Sequence, residues 1–241
     1  MSLGRKAYVL FNIVILNKEN FKMYKEKIIE KTIEFVRNKL EGEGSGHDFW
    51  HVYRVYKISV SLSMEEKEEV DLFTVKLGAL LHDIADWKFN DGDTTIGADI
   101  SRNFLSSLGV DDKTIEQVAY IVENISFKGA GDTSKMNTLE GKIVQDADRL
   151  DALGAIGIAR TFAYGGHAGR EIYNPNIKYE EHKTFEQYKN STGTSVNHFY
   201  EKLLLLKDRM NTKSGKSYAE KRHKFMEEYL KEFYAEWEGK L

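Results

Sequence analysis

Apolar residues at Phe21, Tyr24, Ile28, Ile29, Ile33, Val36 and Leu40 recur three and four positions apart, and the stretch EGEGSG then ends the pattern. That spacing lines one face of an α-helix over residues 21–40. The same reading predicts helices over 48–64, 66–82 and 95–108, the last stopped by Gly109, and a fifth through 125 that Asp111 or Asp112 can cap. After the polar loop SFKGAGDTSKMN, helical character resumes at 138 and extends to 163, with Gly141, Gly154 and Gly157 as weak points. YGGHAGREIYNPNIKYEEHKTF is the longest irregular stretch, and its length makes it either a functional lid or a packed excursion. Two further helices, 195–211 and 216–238, close the chain, with neither an internal repeat nor a linker.

A chain of 241 residues with 41% hydrophobic content buries a sizeable core and fits one compact domain better than two small ones. Its single proline, Pro175, agrees with long uninterrupted helices. At the N-terminus, AYVLFNIVIL follows Arg5 and Lys6 in the manner of a secretory leader, but the run is short, Asn12 interrupts it and no small-residue cleavage site follows. It also falls below the roughly 20 residues of a membrane span. A packed strand or helix is the expected form, with residues 1–22 an N-terminal extension, either native or partly of cloning origin, and 23–241 the domain proper.

Charge and cysteine content narrow the chemistry. With 35 basic and 38 acidic residues the net charge is −3, which offers no field for a nucleic-acid polymer. The absence of cysteine excludes disulfides and thiolate metal sites, suits a reducing cytoplasm, and leaves histidine and carboxylate as the metal ligands.

Three places then stand out. The run KLGALLHDIADWKF ends an apolar segment in His82-Asp83, groups that are costly to bury unless paired or bound to metal. GHDFWHVYRV sets His47 and His51 four apart on one helical face. VQDADRLDA threads Asp146, Asp148 and Asp151 among Ile143, Val144, Ala147 and Leu150. Convergence of His51, His82, Asp83 and one of these aspartates on a single divalent cation would offset the burial of all four. His47 reads as a capping or surface residue, and Asp48 as a helix cap or a partner that orients His51. His167, His182, His198 and His223 read as structural or exposed, with only His167 having a chance of reaching the site.

The order of a histidine, an adjacent His-Asp pair and a distal aspartate resembles the HD-domain phosphohydrolase superfamily, and within it stand-alone bacterial and archaeal proteins similar to nucleoside triphosphate pyrophosphohydrolases. The likeness is strong over residues 46–160, through HDFWHVYRV, LLHDIADWK and VQDADRLDALGAIGIAR, and weaker through HFYEKLLLLKDRM. It implies an all-α, single-domain helical bundle. Matching ADRL to the family's Ala-Asp selects Asp148 as the distal ligand, and Asp86 stands where family members often carry an acidic catalytic residue.

Two imidazoles and two carboxylates suit manganese, iron, cobalt, nickel or zinc better than calcium, and the resemblance tilts the expectation to manganese or magnesium. Such an ion keeps two positions for water and a phosphate oxygen, lowering the pKa of the one and polarising the other. Arg54, Lys88, Lys128 and Arg149 are the nearest cations in sequence for an anionic substrate, Arg149 having the alternative of pairing with Asp146 or Asp151. The expected activity is hydrolysis of a nucleotide ester or anhydride, foremost pyrophosphate release from a nucleoside triphosphate. Monophosphate hydrolysis and a non-catalytic nucleotide-binding module are the alternatives.

Overall fold

The computed structural model describes residues 3–42, 48–85, 95–125, 136–180 and 193–240. Asp86, Lys88, Lys128, His47 and His182 lie outside them. The elements in order are α1 (Leu3–Lys39), α2 (Phe49–Glu65), α3 (Leu72–Leu81), α4 (Thr95–Ser107), α5 (Asp112–Asn124), α6 (Leu139–Asp151), α7 (Gly154–His167), α8 (Asn197–Glu201), a 3₁₀ helix (Leu203–Arg209) and α9 (Lys213–Trp237). The architecture is all-α, with no strand among the described residues.

α3 organises the molecule because it is apolar on most of its surface: Phe73, Val75, Leu77, Ala79, Leu80 and Leu81 are all buried, and Lys76 is its one charged residue. A helix with so little polar surface must be surrounded, and α3 packs against α1, α2, α5 and α6. Gly78 permits the approach of α5, since a Cβ there would stand 3.1 Å from Ile121 Cδ1. Burying each leucine contributes roughly 1.5–3 kcal/mol, so the backbone carrying His82 and Asp83 is held from several sides.

Two apolar clusters share α2 and α3. Val52, Leu77 and Leu80 face one built with α1, α4 and α5, while Val55, Val75 and Ala79 face the other, built with α6, α7 and α9. Neither helix can rotate without breaking one of them.

Local signals place most boundaries. Asp111 caps α5 through Thr114 N, and Gly109, at φ +74°, turns the chain after α4. Four boundaries differ from the sequence expectation. α1 runs unbroken from Leu3, well before the helix start expected at 21. α3 opens at Leu72, not 66, because Asp71 accepts the amides of Phe73 and Thr74 and the preceding Glu66, Glu68 and Glu69 offer no apolar face. The helix expected over 138–163 breaks at Gly154, whose φ of +71° is a left-handed conformation, and a new helix continues to His167. The expected 195–211 helix divides into α8 and a 3₁₀ helix, in which Leu203 and Leu206 both reach the core.

Among the described residues no helix is long and apolar enough to cross a membrane.

Candidate metal centre

The first turn of α2, the end of α3 and the second half of α6 meet because these three helices pack on one another. Asp48 caps α2 by accepting the backbone N–H of His51 at 2.8 Å, which fixes the turn from which the His51 ring projects. His82 follows α3 directly, still helical at φ −56° and ψ −29°.

The side chains converge. His51 Nε2 lies 3.3 Å from His82 Nε2, 3.4 Å from Asp148 Oδ1 and 3.9 Å from Asp83 Oδ2. His82 Nε2 lies 3.8 Å from the same Asp148 oxygen. Atoms bound about 2.1 Å from one cation sit about 3–4 Å from each other, and these separations fall in that interval. His51, His82 and Asp83 form the one metal-capable group of three among the described residues, with ligand atoms within 4.8 Å of one another.

Protons decide what the cluster can hold. His82 Nδ1 donates to the Ala79 carbonyl at 2.8 Å, and His51 Nδ1 lies 2.7 Å from Asp151 Oδ2. A carbonyl and an ionised carboxylate only accept, so in the neutral rings both Nε2 atoms are bare and face each other. Two lone pairs and two carboxylates at this range repel unless a proton or a cation lies among them. The donor set therefore fits a divalent ion with nitrogen and oxygen preference.

In the metal-free protein the surroundings set the proton affinity of each group. Burial disfavours the charged form of His51, yet its bonds to Asp148 and Asp151 outweigh this and raise it above its ordinary value. Burial lowers His82, and the charges of Asp83 and Asp148, which act the other way, do not outweigh it. Burial would raise Asp148 and Asp151, but both are held well below the usual carboxylate range, Asp148 by the two imidazoles and Asp151 by His51, Arg54 and Arg160. The imidazoles are closed to solvent, whereas the Asp148 side chain is 33% exposed and that of Asp83 15%.

The three aspartates of α6 separate by direction. Asp148 joins the cluster. Asp146 is fully buried and accepts from Asn211 N, Asn211 Nδ2, Thr212 N and Thr212 Oγ1, tying α6 to the start of α9. Asp151 lies behind His51.

The two arginines expected to meet substrate both have protein partners. Arg54 donates to Asp151 from Nε at 2.7 Å and Nη2 at 3.0 Å. Arg149 donates to the Arg209 carbonyl and lies 3.9 Å from Asp146, the pairing held open as its alternative. Neither guanidinium is directed at the cluster by these contacts. His167 is exposed, and His223 pairs with Glu227 at 3.4 Å. Sequence reasoning overlooked Arg160, whose Nη1 donates to Asp151 Oδ2 at 2.8 Å. No local signal marks it, although Arg54, one turn beyond His51, shares that histidine's helical face.

A helical bundle with these groups at the junction of three helices has the fold of the HD-superfamily hydrolases. The chain belongs to the HD domain family, whose model matches residues 49–153. It is 37% identical over 209 residues to the uncharacterized protein YpgQ of Bacillus subtilis, covering 86% of this chain and 92% of that one. The crystal structure of an HD-superfamily hydrolase from Bacillus thuringiensis superposes with a TM-score of 0.69 at 44% identity, covering 89% of this chain and 98% of that one. The crystal structure of YpgQ in complex with ADP superposes with a TM-score of 0.68 at 31% identity, covering 87% and 95% of the two chains.

Proposed function

We propose that this protein is a metal-dependent phosphohydrolase that cleaves a nucleotide ester or anhydride, with pyrophosphate release from a nucleoside triphosphate as the favoured reaction. The observation that carries the reading is the pair of bare Nε2 atoms of His51 and His82 facing Asp83 and Asp148. YpgQ's complex with ADP supports a nucleotide as the ligand.

His51, His82, Asp83 and Asp148 would hold one divalent ion, manganese or magnesium in the cell. When bound, the ion polarises the phosphoryl group and lowers the pKa of water. Asp86 is the proposed base, taking a proton from the attacking water, while Lys88 and Lys128 are the proposed cations for phosphate oxygens. In the favoured reaction water attacks the α-phosphorus, the bond to the oxygen bridging to the β-phosphorus breaks, and nucleoside monophosphate and pyrophosphate leave. The one-third exposed Asp148 gives the substrate its side of approach. A nucleotide substrate sets the reaction in the cytoplasm.

Incubation of the purified protein with Mn²⁺ and a panel of nucleotides, with products separated, tests this. Monophosphate and pyrophosphate are expected from a triphosphate. Orthophosphate from a monophosphate would replace the reaction with the monoesterase alternative, and binding without product would identify a regulatory module.

A further inference from the structure

The Asp151 carboxylate receives four donors: His51 Nδ1, Arg160 Nη1 and Arg54 Nη2 at Oδ2, and Arg54 Nε at Oδ1. It is 1% exposed, and it contacts the His51 nitrogen on the far side of the ring from the cluster. Both facts set it apart from Asp148. A buried carboxylate must be compensated, and two guanidiniums with one imidazole are more compensation than a helix end requires.

We propose that Asp151, clamped by Arg54 and Arg160, is a positioning residue that fixes His51 as its Nδ1–H tautomer and thereby presents the bare Nε2 to the cation. This rests on reading the cluster as a metal centre. Beside two guanidiniums the carboxylate stays ionised and accepts only, so the proton on the facing imidazole belongs on Nδ1. Arg54 supplies two nearly parallel N–H groups, a geometry that fixes the plane of the carboxylate as well as its place. The orientation then passes from α2 and α7, which carry the arginines, to the ring. His82 obtains the same result from a backbone carbonyl one helical turn before it. The two rings are thus oriented independently, and only His51 needs a side chain for it. Arg54 and Arg160 act on the cation through Asp151.

The test compares wild type with Asp151→Asn and Asp151→Leu by Mn²⁺ titration and by ¹⁵N-histidine NMR of the metal-free protein at alkaline pH, where the rings are neutral. Wild type should show His51 protonated on Nδ1. Asp151→Asn should keep that tautomer through its amide oxygen and bind Mn²⁺ about 10–100-fold more weakly, the usual effect of losing such a partner. Asp151→Leu should shift His51 towards Nε2–H and weaken binding at least as much. If the leucine variant does not fold, the wild-type tautomer and the asparagine titration decide. An Nε2–H tautomer in wild type, or wild-type Mn²⁺ affinity in Asp151→Asn, overturns the proposal. Wild type that binds no Mn²⁺ would instead sink the metal-centre reading, and the tautomer comparison would still decide whether Asp151 positions the ring.

Discussion

His51 Nε2 and His82 Nε2 stand 3.3 Å apart, each on a ring whose opposite nitrogen is already engaged. With Asp83 they form a group that could hold a metal ion, and Asp148 stands beside both imidazoles.

Metal content should follow this arrangement. Elemental analysis is expected to give roughly one divalent ion per chain, as one such ligand set implies, and His82→Ala or Asp83→Ala should lose most of it. Full occupancy in both variants would remove the centre from these residues.

Proton competition sets the pH dependence of binding. Burial disfavours the charged form of His51, but its bonds to Asp148 and Asp151 raise it above its ordinary value, so a proton competes with an incoming ion there. Apparent Mn²⁺ affinity should rise with pH through and beyond 6.5, with proton release detected by calorimetry in buffers of different ionisation enthalpy. Affinity that is flat over that range contradicts the assignment of His51. The sign for folding runs the other way: the favourable contribution of the raised His51 is complete below its unfolded value and disappears as pH climbs through the folded one.

Asp148 and Asp151 should part company at saturating metal. Asp148→Asn is expected to abolish hydrolysis, because a ligand is gone. Asp151→Asn should retain substantial activity once Mn²⁺ is in excess, because only the orientation of His51 is weakened. The reverse pattern would exchange their roles.

For Asp146 the expected loss is in stability. Both its oxygens face donors from Asn211 and Thr212, so the amide of Asp146→Asn would set N–H against N–H or O–H. A buried unsatisfied group costs about 1–3 kcal/mol, which lowers Tm by several degrees in a chain of this length. Calorimetric melting should show the drop while elemental analysis finds normal metal content. Loss of the metal together with wild-type Tm would make Asp146 a ligand instead.

Asp86→Asn separates a base from a ligand. The variant should keep its metal and bind a nonhydrolysable nucleotide analogue, yet turn over at least about a hundredfold more slowly, the scale of general-base removal. Near wild-type turnover would return Asp86 to an ordinary loop position.

What the sequence alone determined was local. Helix periods, a cap at Asp111 or Asp112 and the Gly109 stop act over a few residues, so they are legible in a few residues, and the structure selects Asp111. His82-Asp83 could be singled out because two ionisable groups at the end of the apolar run LGALL are an anomaly in any fold. The direction of each aspartate on α6 was not legible in this way. Asp146, Asp148 and Asp151 share one helix and one apolar setting, and their different tasks arise from what the folded chain brings opposite them: the start of α9, two imidazoles, and two arginines with a histidine. Those partners lie 65 to 100 residues away for Asp146 and for the Asp151 contacts with Arg54 and His51. Tertiary packing decided the break of 195–211 as well, since a 3₁₀ turn eclipses residues three apart and so carries both Leu203 and Leu206 inward. Apolar spacing records which side of a helix is buried; only the packed helices decide which neighbour each buried carboxylate meets.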